Sequence, residues 1–323
     1  MIVGQDRAVG QFLDAWKTRR LHHAWLLAGP RGVGKATFAR AAACRVLADA
    51  AGPVVGEGLD VPASHPISHL LAAGSHPDFR MLERLENPKT GNLARGISVD
   101  QVRGLGELIG STPSLSAWRA IVIDAADDLE SSAANALLKT LEEPPANTVF
   151  FLIAHAPGRL LPTIRSRCRR LDFKRLGDDV MTPLLNQLIP NENNPELVRI
   201  AAGSPGRALQ SASLDLAPLE ADASRMMAEG DADNAGRSRL ASALSGKAQA
   251  ERYAAFLMLV PALIAREART AEEPRRTRAL EAYARARDTV SLAPRLSLDP
   301  GATAFELGGI LASVAGAPAS LKR

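Results

Sequence analysis

Gly29-Pro30-Arg31-Gly32-Val33-Gly34-Lys35 has the spacing G-x-x-x-x-G-K of a phosphate-binding loop, in which backbone amides and one lysine cradle phosphate groups. Ala36 stands where that motif carries Ser or Thr, so the hydroxyl that holds Mg²⁺ is missing. Thr37 is no substitute, because the next residue on a helix points about 100° further round the axis. Asp124 closes the apolar run Ala120-Ile121-Val122-Ile123, the place of a metal-holding carboxylate in P-loop enzymes. Phosphoryl transfer also needs a group that orients the attacking water, and the residue beside Asp124 is Ala125. Gly29, Gly32, Gly34, Lys35 and Asp124 therefore read as a nucleotide site that keeps its phosphate donors and has lost the chemistry of hydrolysis.

Two arginines stand apart from that loop. Arg167, in Ser166-Arg167-Cys168, can reach a neighbouring subunit's γ-phosphate as an arginine finger. On residue physics alone, Arg165, Arg167, Arg169 and Arg170 read better as a solvated or DNA-facing basic run. Arg207, in Gly203-Ser204-Pro205-Gly206-Arg207-Ala208-Leu209, reads equally as an exposed helix-start residue or as one that faces a nucleotide. Cys44, His65, His69 and His76 invite a zinc reading, but Pro66 argues against a regular helix carrying both His65 and His69. Cys44 lies in an Ala-rich helix as a small apolar residue, and no metal site is expected. His22 and His23 have no acidic partner in sequence and read as structural.

Strand and helix must alternate to hold these groups. Residues 7–20 have helical apolar spacing (Val9, Phe12, Leu13, Trp16), and the short run 24–28 is a buried strand feeding the glycine loop. Lys35 opens an Ala-rich helix to about residue 48. The stretch 49–75, rich in Gly, Pro and Ala, reads as a loop or irregular insert. Residues 78–82 read as a strand, 98–110 as one amphipathic helix capped by Ser98, 120–124 as a central parallel strand, and 133–142 as a helix stopped by Pro144-Pro145. Two further strands fall at 149–153 and 170–173, which completes a doubly wound α/β domain with a parallel sheet. Residues 176–210 read as short helices broken by Pro190, 191–194 and 203–206, and helical patterns then run to the end.

Bulk properties agree. A chain of 323 residues with 46% hydrophobic and 23% charged residues suits two or three globular domains. The net charge of +4 is mildly basic, compatible with a nucleic-acid partner without requiring one. Two cysteines give no disulfide framework and fit reduced thiols. Neither a signal peptide nor a membrane-length apolar run is evident, so a cytoplasmic location without membrane contact is expected.

Longer strings carry a resemblance. Val3-Gly4-Gln5, Leu21-His22-His23-Ala24-Trp25-Leu26-Leu27 leading into the glycine loop, His76-Pro77-Asp78, 97–103 and 123–127 are similar to bacterial clamp-loader subunits of the AAA+ class. The most specific strings are Asn135-Ala136-Leu137-Leu138-Lys139-Thr140-Leu141-Glu142-Glu143-Pro144-Pro145 and Ile164-Arg165-Ser166-Arg167-Cys168. The likeness is close over about the first 210 residues and rests on length and helical character beyond them.

The resemblance implies an AAA+ domain over 1–174, a helical lid over 175–212 and an all-α collar over 213–323 that joins a five-membered ring. It implies that Arg167 acts in trans on the ATP of the adjacent subunit and that Arg207 is the lid's nucleotide-sensing arginine. The partners it implies are the gamma or tau and delta subunits, the sliding clamp and primed-template DNA. AAA+ relatives usually carry Glu at position 125 and a polar residue near the end of the 149–153 strand, where this chain has Ala154-His155. The pattern thus fits the family's non-hydrolysing stator, part of the polymerase complex without being its polymerising subunit. ATP or ADP bound without hydrolysis is compatible with the intact loop, and no cofactor is required. The alternatives are an active gamma- or tau-like ATPase, which would turn over Mg-ATP alone, and a DNA-binding adaptor outside any ring. Many relatives carry a four-cysteine zinc module that 49–76 cannot form, since it contains no Cys. Relatives also begin several residues further upstream, which is compatible with a native start before Met1.

Overall fold

The structure, a computed structural model, describes residues 2–52, 56, 58–86, 93–190 and 194–316. They form two compact units, Met1–Ala208 and Leu209–Arg323. The first contains five parallel strands: β1 (Ala24–Ala28), β2 (Phe79–Glu83), β3 (Arg119–Asp124), β4 (Thr148–Ala154) and β5 (Arg169–Asp172), in the order β2-β3-β4-β1-β5. α1 (Asp6–Lys17) precedes them, and between them run α2 (Lys35–Ala51), α3 (Pro66–Ala72), α4 (Val99–Arg103), α5 (Leu105–Gly110), α6 (Ser131–Glu142) and α7 (Pro162–Ser166).

Both faces of this sheet are covered, which is why β1, β3 and β4 are apolar without alternation. Trp25, Leu27, Val122, Phe151 and Ile153 pack on one side with Phe12 and with Phe38, Ala39, Ala42 and Val46 of α2. Leu26, Ile121, Ile123, Phe150 and Leu152 pack on the other with Val102, Leu105, Ala133 and Leu137. Phe12 is the hub of the first core, with Trp25, Phe38 and Phe151 at centroid distances of 5.4, 5.7 and 5.6 Å.

The expected doubly wound parallel sheet is present, with local corrections. The helix expected over 98–110 is two, because the chain turns at Gly104 between α4 and α5. The Ala-rich helix continues to Ala51, and the stretch expected to be irregular holds α3. Pro66 does not break that helix: it is in its first turn, where a missing N–H is harmless, and His65 caps it by accepting from the Ile67 amide at 3.2 Å. The remaining helices of the first unit are α8 (Asp178–Leu188), α9 (Asn194–Ala201) and the start of α10 (Pro205–Ser213). Of the segment expected to break them, residues 191–193 lie outside the described residues.

The second unit is helical, with α11 (Ala217–Glu229), α12 (Ala235–Leu244), α13 (Ala250–Thr270), α14 (Arg275–Leu296) and α15 (Pro300–Ala312). Phe256, Val260, Ile264, Leu307 and Leu311 lie in its core. Glu220, buried at 1% exposure, accepts from Arg266 at 3.3 Å.

One buried carboxylate sets the edge of the sheet. Asp78, ahead of β2, accepts from the amides of Ser114, Leu115 and Ser116 at 2.7, 2.8 and 3.0 Å, and so ties the approach to β3 against its neighbour. Asp78→Ala leaves three amides without that acceptor. Denaturant melts should show the first unit destabilised by about 2–4 kcal/mol, with the unfolding of 209–323 unchanged.

Candidate functional site

In a parallel sheet the loops with chemistry collect at the carboxyl ends of the strands. β3, β4 and β1 are consecutive, so their ends bring Asp124, Ala154-His155 and the glycine loop together. Ala28 is in register with Ala154 and Ile153 with Asp124, and the Gly29 amide donates to the Ala154 carbonyl at 3.2 Å. Gly34, in the left-handed region at φ 96°, turns the loop into α2. Gln5 holds the loop from below. Its side-chain amide donates to the Val33 carbonyl at 3.2 Å and to the Lys174 carbonyl at 2.8 Å, and the Lys174 amide donates back at 3.3 Å.

Lys35 is 3% exposed, and its Nζ donates to the Gly29 carbonyl at 2.6 Å and to the Pro30 carbonyl. Burial lowers its pKa to about 8 against the pull of Asp124 and Asp127, and Arg31 lowers it further. Burial conversely raises Asp124, opposed by Lys35. Ala36 is half-buried, Ala125 is buried and Thr37 is exposed. Positions 36 and 125 carry only a methyl group, so neither offers an oxygen to a metal ion or to water. The residues present fit a phosphate, through glycine amides and Lys35, better than they fit a hydrolytic Mg²⁺ centre.

His155 follows Ala154 into the site. Burial, together with Lys35 and Arg31, pushes its pKa down to about 4, so it is neutral at pH 7. Asp127 fixes this turn by accepting from the His155 and Ala156 amides at 3.0 and 3.1 Å. Asp128 pairs with Arg84 at 3.3 Å and more loosely with Arg31 at 3.9 Å.

The segment 203–207 closes on the loop. The Gly206 amide donates to the Gly32 carbonyl at 2.9 Å, and the buried Ser204 hydroxyl donates to the Arg31 carbonyl at 2.6 Å. A Cβ on Gly206 would stand 2.8 Å from the Gly32 Cα, so this approach requires glycine. Arg207 follows at once in the first turn of α10, half-buried beside Gly32.

Arg167 is not part of this assembly. β5 starts at Arg169, in register with Trp25 at the amino end of β1, whereas the glycine loop leaves the carboxyl end after Ala28. The five residues of β1 span about 16 Å, so Arg167 and Lys35 lie at opposite ends of the sheet. Arg167 Nη2 pairs with Glu142 Oε1 at 2.8 Å, and its Nη1 donates to the Thr163 carbonyl at 3.0 Å. Cys168 beside it is a free thiol whose pKa burial pushes up to about 12.

The residues considered for zinc are scattered. Cys44 lies 3.6 Å from the Ser68 hydroxyl, and His76 accepts from the Asp78 amide at 3.1 Å. Among the described residues no group of three or more His, Cys, Asp or Glu is placed to hold a metal ion, and no helix is long and apolar enough to cross a membrane. His22 and His23 stack at 4.4 Å. Sequence reasoning missed Gln5, Asp127, Ser204, Gly206 and Glu142 as positioning residues. Only Ser204-Pro205-Gly206, a hydroxyl before a helix-opening Pro, carried a local signal.

A family model described as DNA polymerase III, delta subunit, matches residues 4–177. The DNA polymerase III subunit delta' of Pseudomonas aeruginosa is 39% identical over 188 residues, 57% of this chain and 53% of that protein. Delta' of Escherichia coli is 39% identical over 142 residues, 43% of this chain and 41% of its own. The DNA polymerase III subunit tau of Bacillus subtilis is 30% identical over 191 residues, 59% of this chain and 31% of its own. The chain spans about half the length of these delta' proteins (53% and 41%), and the residues that the family model matches include the loop, Asp124 and Arg167.

The buried lysine gives a measurable signature. NMR titration of isotopically labelled lysine side chains should show an inflection near pH 8 that is absent in Lys35→Met. The folded pKa lies below the unfolded one, so the unfolded chain holds the proton more tightly. The destabilisation from this group is full below about pH 8 and is relieved as pH rises towards 10.5. If no lysine titrates below about 9.5, this account of the site fails.

Proposed function

This chain belongs to the DNA polymerase III delta' family of clamp-loader AAA+ proteins, and we propose that it acts there as a stator that does not hydrolyse ATP. In this reading it assembles with gamma or tau and delta subunits and supplies Arg167 to the ATP site of a neighbour. The complex then opens the sliding clamp and loads it on primed DNA. The organisation that goes with the role is an AAA+ domain over 1–174, a lid over 175–212 and a collar over 213–323.

The observation that carries the proposal is the position of Arg167. An arginine at the amino end of β5 stands a strand's length from its own glycine loop and cannot serve that loop. A finger contributes by neutralising charge on the transferring phosphoryl group, so Arg167 has a use only at another subunit's nucleotide. The chemistry of the chain's own loop supports the same division. Ala36 and Ala125 supply neither metal ligand nor base, and Lys35 is engaged by Gly29 and Pro30. Nucleotide held by the glycine amides, Lys35 and Arg207 would be bound and not cleaved. The gamma- or tau-like alternative has the tau relative in its favour and these two alanines against it.

In a complex reconstituted with gamma or tau and delta, Arg167→Ala should lower ATPase turnover at least tenfold, since a finger is worth about 10³–10⁵ in rate at the site it serves. Lys35→Ala should leave turnover nearly unchanged. Small and equal effects of the two substitutions, or turnover of Mg-ATP by the isolated chain, would overturn the assignment.

A further inference from the structure

We propose that Glu142 is the latch of the arginine finger: it holds Arg167 within its own subunit and yields it to the triphosphate of a neighbour. The proposal rests on the finger reading above and adds the residue that sets the finger's position and its nucleotide selectivity.

Glu142 ends α6 and Arg167 caps the end of α7, so the pair joins two helices at the amino end of the sheet. Pro144 and Pro145 follow after Glu143 and stop α6 there. One guanidinium nitrogen bonds the Glu142 carboxylate at 2.8 Å, and another donates to the Thr163 carbonyl at 3.0 Å. The two contacts differ in kind. Thr163 lies in the same helix as the base of the arginine side chain, so its carbonyl moves with Arg167 and serves as a pivot. Glu142 comes from another helix, and its bond is the one that breaks when the fork turns outward.

Magnitudes decide which partner wins. The side chains of Arg167 and Glu142 are 34% and 48% exposed, and pairs of that kind contribute at most about 1 kcal/mol. A guanidinium fork on a phosphoryl group makes charge-assisted, bidentate bonds in a water-poor interface, which are stronger. The exchange therefore runs towards a terminal γ-phosphate. A neighbour holding a diphosphate presents no such group, and Arg167 stays on Glu142. The carboxylate also repels an approaching phosphate until the fork has turned. Glu142 thus weakens triphosphate binding in the neighbour slightly while keeping the finger ordered.

The test uses the reconstituted complex, with ATPγS and ADP as probes. Glu142→Gln removes the charge and keeps the shape, so ATPγS binding should tighten about two- to fivefold with ADP binding unchanged. The KM for ATP should fall by the same factor at nearly constant kcat. Glu142→Asp, which keeps the charge at shorter reach, should fall between wild type and Gln. In an Arg167→Ala background the Glu142→Gln effect should vanish. An equal effect on both nucleotides, no effect, or an effect that persists without Arg167 would overturn the latch while leaving the finger standing. If Arg167→Ala alone changes neither ATPγS binding nor turnover, the finger and the latch both fall. Unchanged melting of Glu142→Gln separates these outcomes from loss of fold.

Discussion

The direction of the strands governs where chemistry can occur in this chain. Because β1 to β5 run parallel, every turn that leaves a strand opens at one end of the sheet and every turn that enters one lies at the other. Both faces are buried beneath helices, so neither end can be reached through the sheet. The glycine loop, Asp124 and His155 follow β1, β3 and β4 and must lie together. Arg167 precedes β5 and must lie with the end of α6 on the far side. The hydrophobic effect that fills the two cores thereby divides the polar groups into two assemblies.

At the carboxyl end, the loop's lysine and several of its carbonyls are bonded within the protein, and its amides are the groups that face a phosphate. Lys35 is bonded to loop carbonyls, Gln5 to Val33, and the carbonyls of Arg31 and Gly32 accept from Ser204 and Gly206. The contact between Gly32 and Gly206 is close enough that only glycines permit it. These bonds fix 203–207 on the loop.

The sheet was legible in sequence because strands buried on both faces leave unbroken apolar runs, and β1, β3 and β4 fell within two residues of expectation. The glycine loop was legible because its function needs backbone freedom at fixed spacing. Helical detail was harder. Pro66 reads as a breaker unless the helix is known to begin there, and Gly104 divides 98–110 without any interruption of the apolar pattern. Contacts between distant segments left no trace in periodicity. Glu142 with Arg167, and Gln5 with Val33 and Lys174, are set by the packing of elements far apart in the chain.

The two-ended layout also lets the residues of one assembly change without disturbing the other. Ala36, in the first turn of α2, and Ala125, just after β3, belong to the carboxyl end. Arg167, Glu142 and Thr163 are bonded to one another at the opposite end and share none of those partners. Substitutions at sites so far apart, with no shared contact, act nearly independently. A change in the side chains beside the glycine loop therefore leaves the geometry around Arg167 intact. The reverse change is equally permitted by the fold, because each assembly has its own partners at its own end of the common sheet.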